Sequence, residues 1–139
     1  GPSQFQDYHQ FNGTRDFSAY LTIPKALEFM EQQHWWEVAK TCRKMVQQWL
    51  PGLCELVGSQ PLAPVTDEFI GQLGSIPVRC EDPVALKQIL YKEYRIEIPV
   101  MVQNGRVYIR YSINAFNTEA DLKKLENTLI SLKERKLIF

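Results

Sequence analysis

The sequence predicts an α/β chain of the α+β kind. Long helices are followed by a small mixed sheet with a β-hairpin and flanking helices. Three observations carry this. Apolar residues recur at helical spacing between residues 16 and 56. Asp82-Pro83 has the form of a helix N-cap followed by proline at the first helical position. Asn104-Gly105 stands between two alternating runs, a strong short-range hairpin signal.

Residues 1–15 are polar and aromatic, with no helical or strand period. Asp16 is placed to cap a helix with apolar positions Tyr20, Ile23, Leu27 and Met30. Pro24 falls inside this run and either kinks it or marks a restart. The second helix carries the stripe Val38, Cys42, Met45, Val46 and Trp49. Pro51-Gly52 kinks or ends it, and Leu53 and Leu56 add a turn if it continues. From Gly58 to Asp67 the composition shifts to Gly, Ser, Pro and Thr, which marks an internal boundary. Phe69–Val78 reads as a strand weakened by Gly71 and Gly74. The helix opened by Asp82 has Val84, Leu86, Ile89, Leu90 and Tyr94 as its apolar positions. Ile98, Val100 and Val102 alternate on the first hairpin strand, and Val107, Ile109 and Tyr111 on the second. Thr118-Glu119-Ala120-Asp121 resembles a capping box with Asp in place of Glu. It opens a last helix with Leu122, Leu125, Leu129 and Leu132 on one face.

Composition excludes several function classes. The 139 residues are 45% hydrophobic and 23% charged, which suits a folded domain and not a disordered one. Sixteen basic residues balance sixteen acidic ones, so no net positive field holds a nucleic acid. No apolar run approaches the roughly 20 residues of a membrane helix. The N-terminus lacks the apolar region of a secretory signal, and Gly1-Pro2 reads either as a cleavage scar or as natural sequence. Cys42, Cys54 and Cys80 are odd in number and widely spaced, which suggests reduced thiols in a cytoplasmic protein. His9 and His34 have no ligand-spaced partners, so no metal site is expected.

Few residues point to chemistry. Arg110 lies between Ile109 and Tyr111. If those two face the core, Arg110 faces the other way with Tyr108 and Ser112. A guanidinium on a rigid strand is a bidentate clamp for a carboxylate; the alternative is a solvated strand residue. Gly13-Thr14, before the Asp16 helix, offers backbone N–H groups and a hydroxyl to a phosphate, or is a turn and cap. Trp35-Trp36 reads as a core or interface anchor, and Lys40, Arg43 and Lys44 as the solvated face of their helix. No Ser-His-Asp set, P-loop or HExxH is present, and no carboxylate pair suggests acid–base work.

Taken together, the motifs do resemble a family. Phe5-Gln6-Asp7, Gly13-Thr14-Arg15-Asp16-Phe17-Ser18-Ala19-Tyr20-Leu21, then Pro24, Ala26, Leu27 and Phe29, resemble a signature of class V pyridoxal-phosphate enzymes, in the isopenicillin N epimerase-like branch. Ile96-Glu97-Ile98-Pro99-Val100, Asn104-Gly105-Arg106, Ile109-Arg110-Tyr111-Ser112 and Phe116-Asn117-Thr118-Glu119-Ala120-Asp121-Leu122 follow in the same order. The resemblance spans residues 5–132 and is to the C-terminal part of such an enzyme.

It implies a fold-type-I enzyme that uses pyridoxal 5′-phosphate on an amino acid substrate and works as a homodimer. Residues 1–33 would be the tail of the large domain and a dimer-contact segment, 34–57 a connecting helix, and 58–139 the small C-terminal domain. Arg110 would pair with the substrate α-carboxylate. Thr14, with Gly13, would approach the cofactor phosphate from the neighbouring subunit. The family's Schiff-base lysine, its aspartate on the pyridine nitrogen and its ring-stacking aromatic precede the first signature. No lysine here inherits the first role, no catalytic residue is assigned, and the chain alone is expected to be inactive. The loop that bears the nucleophilic cysteine of related desulfurases has none here, which disfavours sulfur transfer. Phe11-Asn12 replaces the Trp often found before the Gly-Thr. Phe5, Tyr8, Phe11, Phe17, Tyr20 and Leu21 are expected to pack on another chain or to be poorly ordered. The alternative is a stand-alone, non-catalytic α/β binding or dimerisation module.

Overall fold

The computed structural model describes residues 3–10, 13–14 and 16–139. The readings made of Gly1-Pro2, Phe11-Asn12 and Arg15 lie outside the described residues. The chain divides into two compact units, Gly1–Trp35 and Trp36–Phe139.

The first unit contains α1 (Gln4–Gln10), α2 (Ser18–Leu21) and α3 (Ile23–Gln32). The sequence showed no period where α1 forms. Its start is capped locally, because the Ser3 hydroxyl oxygen accepts from the Gln6 N–H at 3.2 Å. Pro24 marks a restart rather than a kink. The chain leaves the helix at Thr22 and re-enters it with Pro24 in the first turn of α3, where no N–H is needed.

The second unit begins with α4 (Trp35–Leu56), which runs through Pro51 without ending. An interior proline costs about 3 kcal/mol. Burial of Leu50, Leu53 and Cys54 on either side of it offsets that cost. The helix ends in a Schellman turn at Gly58 (φ +72°). There the Ser59 N–H donates to the Cys54 carbonyl at 2.9 Å, and the Gly58 N–H to the Glu55 carbonyl at 2.9 Å.

β1 (Leu73–Val78), α5 (Pro83–Lys92), β2 (Val100–Gln103), β3 (Arg106–Ser112) and α6 (Glu119–Glu134) follow. The α+β class is as the sequence implies, but the sheet is antiparallel throughout, with order β1-β3-β2. β1 and β2 do run in the same direction, as a helical crossover requires. The hairpin then inserts β3 between them, so each ladder is antiparallel. β1 starts at Leu73 and not at Phe69, because the Ile70 N–H turns back to the Thr66 carbonyl at 2.9 Å. Asn104 and Gly105 both take positive φ (51° and 71°), as a two-residue type I′ turn demands.

The caps follow the sequence. The Asp82 carboxylate accepts from the Ala85 N–H at 2.9 Å, and Asp121 from the Thr118 N–H at 2.8 Å. Leu122, Leu125, Leu129 and Leu132 of α6 are buried with Leu86 and Leu90 of α5, Val46, Leu50 and Leu53 of α4, and Ile76 and Ile109 of the sheet. Some expected apolar positions lie outside this core: Val84 is 70% exposed, Val102 61% and Trp36 76%. Arg43 is half-buried with its Nε out of water, so the basic face of α4 is solvated only at Lys40 and Lys44. Cys42 and Cys54 are buried and Cys80 is half-buried. Burial pushes the Cys54 and Cys80 thiols up from their ordinary range. Among the described residues no helix is long and apolar enough to cross a membrane.

Candidate functional site

Strand alternation decides where Arg110 points. Val107, Ile109 and Tyr111 are buried, while Tyr108 and Arg110 are half-buried and Ser112 is exposed. The register sets Ser75 opposite Arg110, Pro77 opposite Tyr108 and Leu73 opposite Ser112. These residues, with Met101 of β2, share the face turned away from the core.

Arg110 is fixed by its backbone, whose N–H donates to the Pro99 carbonyl at 3.0 Å. Beside it is a depression of about 300 Å³, lined by Ile96–Pro99 on one side and by Ser112, Phe116 and Asn117 on the other. The second wall is a tight polar turn. The Asn117 side-chain oxygen accepts from the Asn114 N–H at 2.9 Å, and the Asn114 carbonyl from the Asn117 N–H at 2.9 Å. Gln72 ties the turn to the sheet, with Nε2 donating to the Ile113 carbonyl at 2.9 Å. Among the described residues no ion pair or hydrogen bond engages the Arg110 guanidinium. Of the two carboxylates lining the depression, Asp121 is held by its cap and Glu97 lies outside ion-pairing distance. An unpaired guanidinium in a half-buried position fits a planar carboxylate in bidentate fashion.

Sequence reasoning placed Arg110 on the outer face but did not show the walls around it. Pro99, Asn114 and Asn117 act through loop geometry, and the only signal for the turn was the Asn-x-x-Asn spacing.

Gly13 and Thr14 lie in the first unit and Arg110 in the second. Gly13 takes φ +65° and Thr14 is exposed. The Asp16 carboxylate accepts from both the N–H and the hydroxyl of Ser18, and these bonds hold its pKa below the ordinary carboxylate value. The following helix, α2, has only four residues, too few for a strong dipole.

Pyridoxal phosphate requires a lysine, a partner for its pyridine nitrogen and a phosphate cup. No lysine lines the Arg110 depression. Beside Thr14 stands the anionic Asp16. The described residues therefore do not by themselves make a site for that cofactor.

No protein-family model matches the chain. The chain is 24% identical over 123 residues to isopenicillin N epimerase of Amycolatopsis lactamdurans, covering 88% of this chain and 31% of that protein. It is 26% identical over 123 residues to isopenicillin N epimerase of Streptomyces clavuligerus, covering 86% and 30%. It is 22% identical over 147 residues to a rice protein (Oryza sativa subsp. japonica) named "Putative L-cysteine desulfhydrase 1", again covering 86% and 30%. The chain thus spans less than a third of the length of these relatives. With the antiparallel α+β unit around Arg110, they make the chain similar to the C-terminal region of class V pyridoxal-phosphate enzymes, as its motifs implied. Within that class the likeness includes two isopenicillin N epimerases.

Proposed function

We propose that this chain is the C-terminal segment of a class V pyridoxal-phosphate enzyme that acts on an amino acid in the cytoplasm, and that Arg110 holds the substrate α-carboxylate. The carrying observation is the unpaired Arg110 guanidinium on the outer face of β3, beside a depression of substrate size. Its function is positional. A guanidinium anchored on a central strand fixes one end of the substrate, and so selects which bond at Cα is aligned for cleavage. The cofactor, bound by the rest of the enzyme, would supply the electron sink.

In this reading residues 1–33 are the large-domain tail and dimer contact, 34–57 the connecting helix, and 58–139 the small domain. Gly13 and Thr14 reach the cofactor phosphate of the neighbouring subunit. The exposed apolar residues of the first unit support a role in contact with another chain: Phe5, Tyr8, Leu21, Ile23, Leu27 and Phe29 are all more than half exposed. The Schiff-base lysine lies outside residues 1–139, so this segment alone does not catalyse the reaction.

The test uses the full-length enzyme and follows exchange of the Cα proton in D2O, by NMR, over a panel of L-amino acids and their decarboxylated amines. Arg110→Gln should lower kcat/KM for amino acids about 10- to 100-fold, the loss of ~1.5–3 kcal/mol from a charged hydrogen-bonded pair. Exchange of the amines should be unchanged. Equal losses for both classes would remove the carboxylate role.

A further inference from the structure

A second cationic site lies at the other end of the β1–β3 ladder. The register ends at Val78 opposite Val107, and Arg79 and Arg106 are the next residues beyond that pair on the two segments. Like charges directly opposite across a ladder repel. Among the described residues neither guanidinium has an ion-pair partner.

Both arginines are exposed and line a cavity of about 530 Å³ together with Gly58, Ser59, Cys80 and Phe139. No carboxylate side chain lines it. Two helix ends build its walls. The Schellman turn after α4 brings in Ser59. A second such turn at Lys136 (φ +56°), where the Leu137 N–H donates to the Leu132 carbonyl at 2.9 Å, returns the chain to the edge of β1. There the Phe139 N–H donates to the Arg79 carbonyl at 3.0 Å. The negative end of α4 is already neutralised locally, because the Leu56 carbonyl accepts from Lys133 Nζ at 2.8 Å.

We propose that Arg79 and Arg106 form a binding site for a dianionic phosphate group at the end of the β1–β3 ladder. Two guanidinium forks supply more positive charge and more donors than a single carboxylate satisfies, and a phosphate matches both. The site is separate from Arg110, which stands four residues further along β3, about 13 Å away at the rise of a strand. It gives a function to Arg106 of the Asn-Gly-Arg motif, which the hairpin turn does not need. Free phosphate and a phosphate monoester share this chemistry.

The test titrates residues 1–139, 15N-labelled, with inorganic phosphate, with O-phosphoserine, and with sodium chloride at matched ionic strength. Saturable shifts are expected at the Arg79 and Arg106 Nε–H signals and at the Ser59 amide, with a dissociation constant of about 1 mM or tighter. Tighter binding of phosphoserine would identify a monoester ligand, and equal binding free phosphate. Arg79→Gln and Arg106→Gln should each weaken binding at least about 10-fold. Arg79→Lys and Arg106→Lys, which keep the charge without the fork, should fall between, while Arg110→Gln changes nothing. Shifts that chloride reproduces, or that follow Arg110 instead, would overturn the proposal.

Discussion

At Gly74 the missing side chain makes room for the Tyr111 ring. A Cβ there would stand 2.5 Å from two of its ring carbons. The Tyr111 hydroxyl is buried without a hydrogen-bond partner, and burial pushes its pKa far above the ordinary phenol range. Two outcomes follow, both measurable by urea denaturation. Gly74→Ala should destabilise the fold by about 1–3 kcal/mol through overpacking. Tyr111→Phe should be neutral or stabilising, because it removes a buried hydroxyl that bonds to nothing. Residue roles were legible where a period of two governs them. Alternation alone turned Arg110 away from the core. It did not reveal why Gly74 is a glycine, because the cause is a cross-strand neighbour 37 positions later.

Elements were legible where their ends carry local chemistry. Asp82-Pro83, Asn104-Gly105 and the Thr118–Asp121 box each act within four residues, and each forms as read. Asp82→Ala should therefore cost about 1 kcal/mol in thermal or urea unfolding, the value of one helix cap. It should also speed hydrogen exchange in the first turn of α5. Where the sequence left alternatives open or gave no signal, local chemistry does not decide. α4 survives Pro51 because its buried face packs on the rest of the core. α1 has no apolar stripe and starts on a serine cap too short to stand out in the sequence. β2 buries little of its own length, so its apparent alternation fails at Val102.

For the whole molecule, the α+β class could be read from the order of its elements, but the strand order could not. The β1–α5–β2 crossover predicts a parallel pair, and only the docking of β3 between them makes the sheet antiparallel. The same holds for the site. The outward direction of Arg110 was legible, while the depression beside it comes from segment 96–99 and from the end of β3 with the turn after it, 112–117, brought together by the hairpin and by Gln72. The central claim is that this chain is one segment of a larger pyridoxal-phosphate enzyme. It is tested most directly by purifying the protein from its natural source with an antibody against residues 1–139. Borohydride reduction would then fix any cofactor to its lysine for peptide mapping. The account predicts a polypeptide well above 16.2 kDa, with the phosphopyridoxyl group on a lysine outside residues 1–139. A native species of 16.2 kDa without the group, or the group on one of this segment's own lysines, would contradict it.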